Sequence, residues 1–122
     1  MQNIALIVDD SPTVRSLVKK TLSVMGFDVI DASNGQEALN EANGLKRIDI
    51  VVADVNMPIM DGITFVQKLR GIERYQFTPV LMLTTETKTA QKEKAKAAGA
   101  TGWLTKPFEP HKLTVTVRRV LA

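Results

Sequence analysis

Apolar residues in this chain follow two rhythms that alternate from one end to the other. Short apolar runs at Ile4–Val8, Phe27–Ala32, Ile48–Ala53, Val80–Leu83 and around Trp103 read as strands, most of them apolar enough to be buried on both faces. Between the runs, apolar positions recur at helical spacing. The first such stretch carries Val14, Leu17, Val18, Leu22 and Met25, the second Ala38, Leu39 and Ala42, and the third Ile63, Val66 and Leu69. A fourth helix is predicted around Thr87–Ala98, and a fifth places Leu113, Val117, Val120 and Leu121 on one face. Within that last segment Thr114–Val117 also alternates with the period of a strand.

Local punctuation agrees with these boundaries. Asp10-Ser11-Pro12 offers a capping side chain and a proline at a helix start, and Gly26 a stop. Asn34 and Gly44 bracket the second helix, Asp61-Gly62 reads as a turn before the third, and Gly99 closes the fourth. The alternation is (βα)₅. Right-handed β-α-β crossovers then call for one doubly wound parallel five-stranded sheet with helices on both faces, an α/β single domain.

A chain of 122 residues, 44% hydrophobic and 24% charged, suits one core and one domain over 1–122, with no second or output domain expected. No stretch approaches the roughly 20 apolar residues that span a bilayer, and Met-Gln-Asn-Ile lacks the regions of a signal peptide. The absence of cysteine rules out disulfides and thiolate metal sites and suits a cytoplasmic protein.

The strand ends carry the chemistry. The first run ends in Asp9 and Asp10, the third in Asp54, the fourth in Thr84, and the fifth in Lys106-Pro107. In an open parallel sheet these carboxyl ends share one edge, where such folds bind ligands. Three carboxylates gathered there need a proton or a cation. Hard oxygen donors with room for water suit Mg²⁺, and Lys106 and Thr84 would then face phosphoryl oxygens while Asp54 acts as nucleophile.

Ile-Val-Asp-Asp-Ser (7–11), Asp-Val-Asn-Met-Pro-Ile-Met-Asp-Gly (54–62), Leu-Thr-Thr (83–85), Ala-Gly-Ala-Thr-Gly-Trp (98–103) and Lys-Pro-Phe (106–108) resemble the receiver domain of two-component response regulators, of the stand-alone CheY-like type. The likeness spans essentially the whole chain. It implies a flavodoxin-like sheet in the order 2-1-3-4-5. It also implies phosphorylation of Asp54 by a histidine kinase in the presence of Mg²⁺ at Asp9, Asp10, Asp54 and the Asn56 backbone carbonyl. Thr84 would be the switch hydroxyl, Lys106 the phosphate-contacting lysine, and Lys106-Pro107 a cis peptide. Trp103 stands where the family usually has Tyr or Phe, an aromatic that turns inward on activation. Thr85 is bulkier than the Ala, Gly or Ser often found beside the switch threonine, and is expected to cover the phosphoryl site in part and slow loss of the group.

Two other functions are weaker. A phosphohydrolase with an aspartyl nucleophile usually carries a second Asp two residues on, where this chain has Asn56, which shuttles no proton. The chain reads as a phosphoacceptor switch rather than a turnover enzyme. Charge is divided between the halves, with a balance of −4 over residues 1–61 and +7 over 62–122. Lys88, Lys92 and Lys96 form a predicted stripe, with Arg118 and Arg119 nearby, yet no nucleic-acid-binding signature accompanies them. The expected partners are a histidine kinase and an acidic protein target at the face of the fourth helix, fifth strand and fifth helix. The expected state is a monomer, away from membranes and nucleic acid.

Overall fold

The structure, a computed structural model, describes residues 3–85 and 89–122. Strands β1 (Asn3–Val8), β2 (Phe27–Ala32), β3 (Ile50–Asp54), β4 (Val80–Thr84) and β5 (Gly102–Thr105) alternate with helices α1 (Pro12–Val24), α2 (Gly35–Gly44), α3 (Gly62–Arg70), α4 (Thr89–Ala98) and α5 (Pro110–Leu121). They form one parallel sheet in the order β2-β1-β3-β4-β5. The predicted start of α4 at Thr87 lies outside the described residues.

Each central strand serves two cores, because alternate side chains point to opposite faces. Leu6, Val8, Val51, Ala53, Val80 and Met82 pack toward α2, α3 and α4, against Leu39, Phe65, Leu69 and Ala95. Ala5, Ile7, Ile50, Val52, Leu81 and Leu83 point the other way, against Val18 and Leu22 of α1 and Leu113 and Val117 of α5. A sheet covered on both sides explains why the strands read as apolar runs rather than alternating ones. The same burial settles α5: Leu113 and Val117 are one helical turn apart and both fully buried, so helical period prevails over the strand-like alternation of Thr114–Val117.

Several boundaries differ from expectation for local reasons. β3 begins at Ile50, not Ile48; Asp49, just before it, donates its backbone N–H to the Ile4 carbonyl at 2.8 Å while one of its carboxylate oxygens accepts the Ile4 N–H at 2.6 Å. Asp61-Gly62 is a helix start rather than a free turn: the Asp61 side chain accepts the Thr64 backbone N–H at 2.8 Å and caps α3. A 3₁₀ turn at Glu73–Tyr75 was not anticipated. It seats the fully buried Tyr75, whose hydroxyl lies 2.7 Å from the carbonyls of Ala42 and Leu45, tying this turn to the end of α2.

Candidate functional site

Strand register gathers the site. Val8 pairs with Ala53 and Leu83 with Asp54, so Asp9, one residue beyond β1, comes level with Asp54 at the end of β3, and Thr84 comes one residue beyond it on β4. Thr84 pairs with Thr105, which leaves Lys106 just past β5 on the same edge. The backbone N–H of Lys106 donates to the Thr84 carbonyl at 2.8 Å, continuing the ladder into the loop, and the Lys106-Pro107 peptide is cis.

The Lys106 ammonium reaches back across the sheet edge. Its Nζ lies 2.9 Å from Oδ2 of Asp9 and 3.2 Å from Oδ1 of Asp54, and all three side chains are largely buried. The other Asp9 oxygen, Oδ1, accepts the Ser11 backbone N–H at 2.8 Å. Arg15 donates to the Asp9 carbonyl at 2.7 Å while its Nε faces Asp31 at 3.4 Å. Asp10, in contrast, is exposed and free of helix-capping duty, since the Ser11 hydroxyl accepts the Val14 N–H and caps α1.

One ammonium does not balance three acids. Carboxylate oxygens of Asp9, Asp10 and Asp54 lie within 4.8 Å of one another. Burial, then the charge of Asp9, push the Asp54 carboxyl up to about 6 against the opposing pull of Lys106. Burial works against the charge of Lys106, but the hydrogen bond to Asp9 and the charges of Asp54 and Asp9 outweigh it and hold its ammonium above the usual lysine range. Clustered hard oxygens, two of them on buried side chains and one on a residue open to solvent, are a donor set that fits a hydrated divalent cation such as Mg²⁺.

The remaining candidates flank this cluster. Asn56, two residues after Asp54, is exposed. Thr84 is buried at the end of β4. Thr85 is exposed and lines a cleft of about 340 Å³ with Val14, Leu17, Lys106, Pro107 and Phe108, so it stands beside the lysine rather than across the acids. Trp103 is 36% exposed, on the α4 side of the sheet. Lys92 of α4 places its Nζ 5.1 Å from the centre of the indole, a cation–π contact. Between Trp103 and Thr84, bordered by Val55, Met82 and Ala95, remains a void of about 10 Å³, room for about one water. Lys88 lies outside the described residues; Lys96 and Arg119 line a groove of about 410 Å³ beside Trp103.

Arg15 was not singled out in the sequence; like Lys92, read there only as part of a basic stripe, it looks like any cation on a solvated helix face until its partners are placed. Gly62 is more than a turn residue: a Cβ there would sit 2.1 Å from the Asp54 carbonyl oxygen, so the start of α3 rests directly on the main chain of Asp54.

Residues 5–118 match the response regulator receiver domain family. Over 117 residues the chain is 38% identical to chemotaxis protein CheY1 of Helicobacter pylori, an alignment covering 95% of this chain and 94% of that protein. Chemotaxis response regulator CheY4 of Vibrio cholerae superposes with a TM-score of 0.94 at 48% identity, covering 99% of this chain and 100% of the other. The receiver domain of sensor histidine kinase PA1611 from Pseudomonas aeruginosa PAO1, solved with a magnesium ion coordinated in its active site cleft, superposes with a TM-score of 0.88 at 25% identity, covering 99% and 98%.

Proposed function

The chain belongs to the response regulator receiver domain family, and from that premise we propose that Asp54 is the residue that accepts the phosphoryl group, with Asp9, Asp10, Asp54 and the Asn56 backbone carbonyl holding Mg²⁺. The observation that carries this reading is the Lys106 ammonium bridging Asp9 and Asp54 at 2.9 and 3.2 Å, with Asp10 open to solvent at the same edge. Mg²⁺, when bound, supplies positive charge that offsets the crowded carboxylates and the incoming phosphoryl oxygens. An Asp54 oxygen attacks phosphorus of a phosphohistidine on a histidine kinase, the P–N bond breaks, and the imidazole departs, leaving an acyl phosphate. Lys106 exchanges a carboxylate contact for a phosphoryl oxygen, and the Thr84 hydroxyl donates to another. Water later attacks phosphorus, the P–O bond to Asp54 breaks, and inorganic phosphate and the free Asp54 carboxylate are released. Asn56 has no carboxylate to assist that water, so the phosphorylated state is slow to decay, and Thr85, beside Lys106, narrows the approach of water or of a phosphatase.

The switch proposed here runs from Thr84 to Trp103. The gap between them is bordered by Ala95 and Lys92 of α4, so an inward turn of Trp103 breaks the contact between its ring and Lys92. The face of α4, β5 and α5, with Lys92, Lys96 and Arg119, is the proposed output surface for an acidic protein target, reached in the cytoplasm by a monomer. Similarity to chemotaxis regulators makes chemotaxis the pathway we propose.

Labelling with acetyl phosphate tests the acceptor. The wild type is expected to take up one phosphoryl group only when Mg²⁺ is present, and Asp54→Asn none. A label that persists in that variant places the acceptor on Asp9 or Asp10 and overturns the assignment.

A further inference from the structure

One cation of α1 turns back toward the acid edge. Side chains on a helix lean toward its N-terminus, so Arg15, in the first turns after the Ser11 cap, reaches past that cap to the end of β1. Its Nη1 donates to the Asp9 carbonyl at 2.7 Å. Asp31 meets the same guanidinium from β2. Phe27 and Val29 of that strand pack toward α1, and Asp31 shares their face at a period of two, level with Ile7 of β1. Its Oδ2 lies 3.4 Å from Arg15 Nε. Lys19, one turn further along α1, stands 3.9 Å from the other Asp31 oxygen and makes no contact with Asp9 among the described residues.

An ion pair as open as Arg15–Asp31 contributes little by itself. The shorter contact is the informative one, because a half-buried guanidinium donates to main chain between two acids of the cluster. The Asp9 carbonyl and the Asp10 N–H belong to one planar peptide. Holding that carbonyl fixes the plane, and with it the directions in which Asp9 and Asp10 leave the main chain. Asp9 has further restraints, since its carboxylate takes the Ser11 N–H and Lys106. Asp10 has none of that kind: among the described residues its exposed carboxylate is in no hydrogen bond or ion pair. Its oxygen nevertheless comes within 4.8 Å of those of Asp9 and Asp54. The placement of Asp10 therefore rests on its main chain, and Arg15 holds that main chain.

We propose that Arg15 is a positioning residue for the cation site, fixing the Asp9–Asp10 peptide so that the Asp10 carboxylate is presented to Mg²⁺, with Asp31 holding the guanidinium in place. The role rests on the metal-site reading above and extends it to a helix and an edge strand that contribute no ligand. Charge alone would act in the opposite direction. A cation near the site repels Mg²⁺, so removing Arg15 would tighten binding if only its field mattered. Removing a side chain that orients the ligands weakens binding instead, by about tenfold or more.

MgCl₂ titrated into the full chain by calorimetry, with no phosphodonor present, separates the two. Wild type is expected to bind saturably. Arg15→Ala is expected to weaken binding about tenfold, and Arg15→Met, which keeps much of the apolar stem and removes the donors, by a similar factor. Asp31→Ala is expected to weaken it less, and the Arg15→Ala, Asp31→Ala double variant no more than Arg15→Ala alone, because both changes release the same guanidinium. Lys19→Ala removes a cation from the same helix and the same carboxylate and is expected to stay within about twofold of wild type. Cooperative melting in EDTA verifies that each variant folds; should Arg15→Ala fail there, Arg15→Met carries the comparison. Unchanged or tighter Mg²⁺ binding in the Arg15 variants, an additive double variant, or equal weakening by Lys19→Ala overturns the role of Arg15 and leaves the metal site standing. No saturable binding by wild type overturns the metal site itself, and the role of Arg15 with it.

Discussion

Asp9 and Trp103 stand on the same sheet a few residues from the same edge, and they are held in opposite ways. Every polar atom of Asp9 has a partner: its N–H donates to the Ala32 carbonyl at 3.2 Å, its carbonyl accepts Arg15, and its carboxylate takes Ser11 and Lys106. Trp103 is over a third exposed, with one cation above the ring and a small void behind it. Buried charge tolerates no slack, because each unpaired group costs full desolvation. A half-exposed aromatic on a short edge strand has fewer contacts to fix it. The first region suits chemistry that needs fixed atoms, and the second suits a surface that changes when the chemistry is done.

The largest expected effect comes from loosening the fixed region where it is tightest. Gly62→Ala drives a Cβ into the Asp54 carbonyl oxygen, 2.1 Å away on the present backbone, so the start of α3 or the end of β3 must shift. Overpacking of this kind costs about 3 kcal/mol. Urea denaturation is expected to reveal that loss, and acetyl phosphate labelling is expected to fall with it, because the displaced atom belongs to Asp54. Wild-type stability in this variant would mean that the edge has slack and that the comparison with Trp103 is overdrawn.

Acidity offers a second, finer test of the same region. Burial and the neighbouring Asp9 raise the folded-state pKa of Asp54 from 3.8 to about 6. Between those values the folded protein binds the proton more often than the unfolded chain does. Stability from this group is therefore complete below about 4 and declines as pH rises through 6, after which the profile is flat. In EDTA, the melting temperature of wild type relative to Asp54→Asn is expected to fall across that window, leaving the variant more stable at neutral pH. Mg²⁺ favours the carboxylate and is expected to restore the wild type. A difference between the two proteins that does not vary from pH 4 to 7 would remove the crowded-carboxylate account.

How much of this was legible in the sequence follows from the kind of interaction involved. Asp9, Asp10, Asp54, Thr84 and Lys106 sit at the ends of apolar runs, and a parallel sheet with aligned register brings strand ends together whatever the details of packing. Five strands and five helices were legible for the same reason. Contacts that depend on a side chain finding a distant carbonyl were not. Arg70 donates to the carbonyls of Gly99, 29 residues away, and Tyr75, and Tyr75 itself reaches Ala42 and Leu45; nothing in the spacing of lone residues announces such pairs. Asp61 illustrates a local ambiguity: Asp-Gly serves equally as a turn and as cap plus first helical residue, and the register of Val66 and Leu69 in the core decides it.

The smallest expected effect lies on the open side. Lys92→Gln removes the cation above Trp103 and keeps most of the length of the side chain. A cation–π contact at so exposed a ring contributes about 0.5 kcal/mol, so the melting temperature should scarcely move. Trp103 is the only tryptophan, and its emission reports its surroundings directly. Without the lysine the indole is expected to sample more arrangements, giving altered emission and anisotropy in the unphosphorylated protein and a smaller further change when a beryllofluoride mimic is added. Labelling of Asp54 is expected to keep its wild-type rate, since among the described residues no atom that fixes Asp9, Asp54 or Lys106 comes from α4. A Lys92→Gln variant that labels several-fold faster or slower would show that the adaptable face and the fixed edge share one equilibrium before phosphorylation, and the two regions would then have to be treated as a single coupled unit.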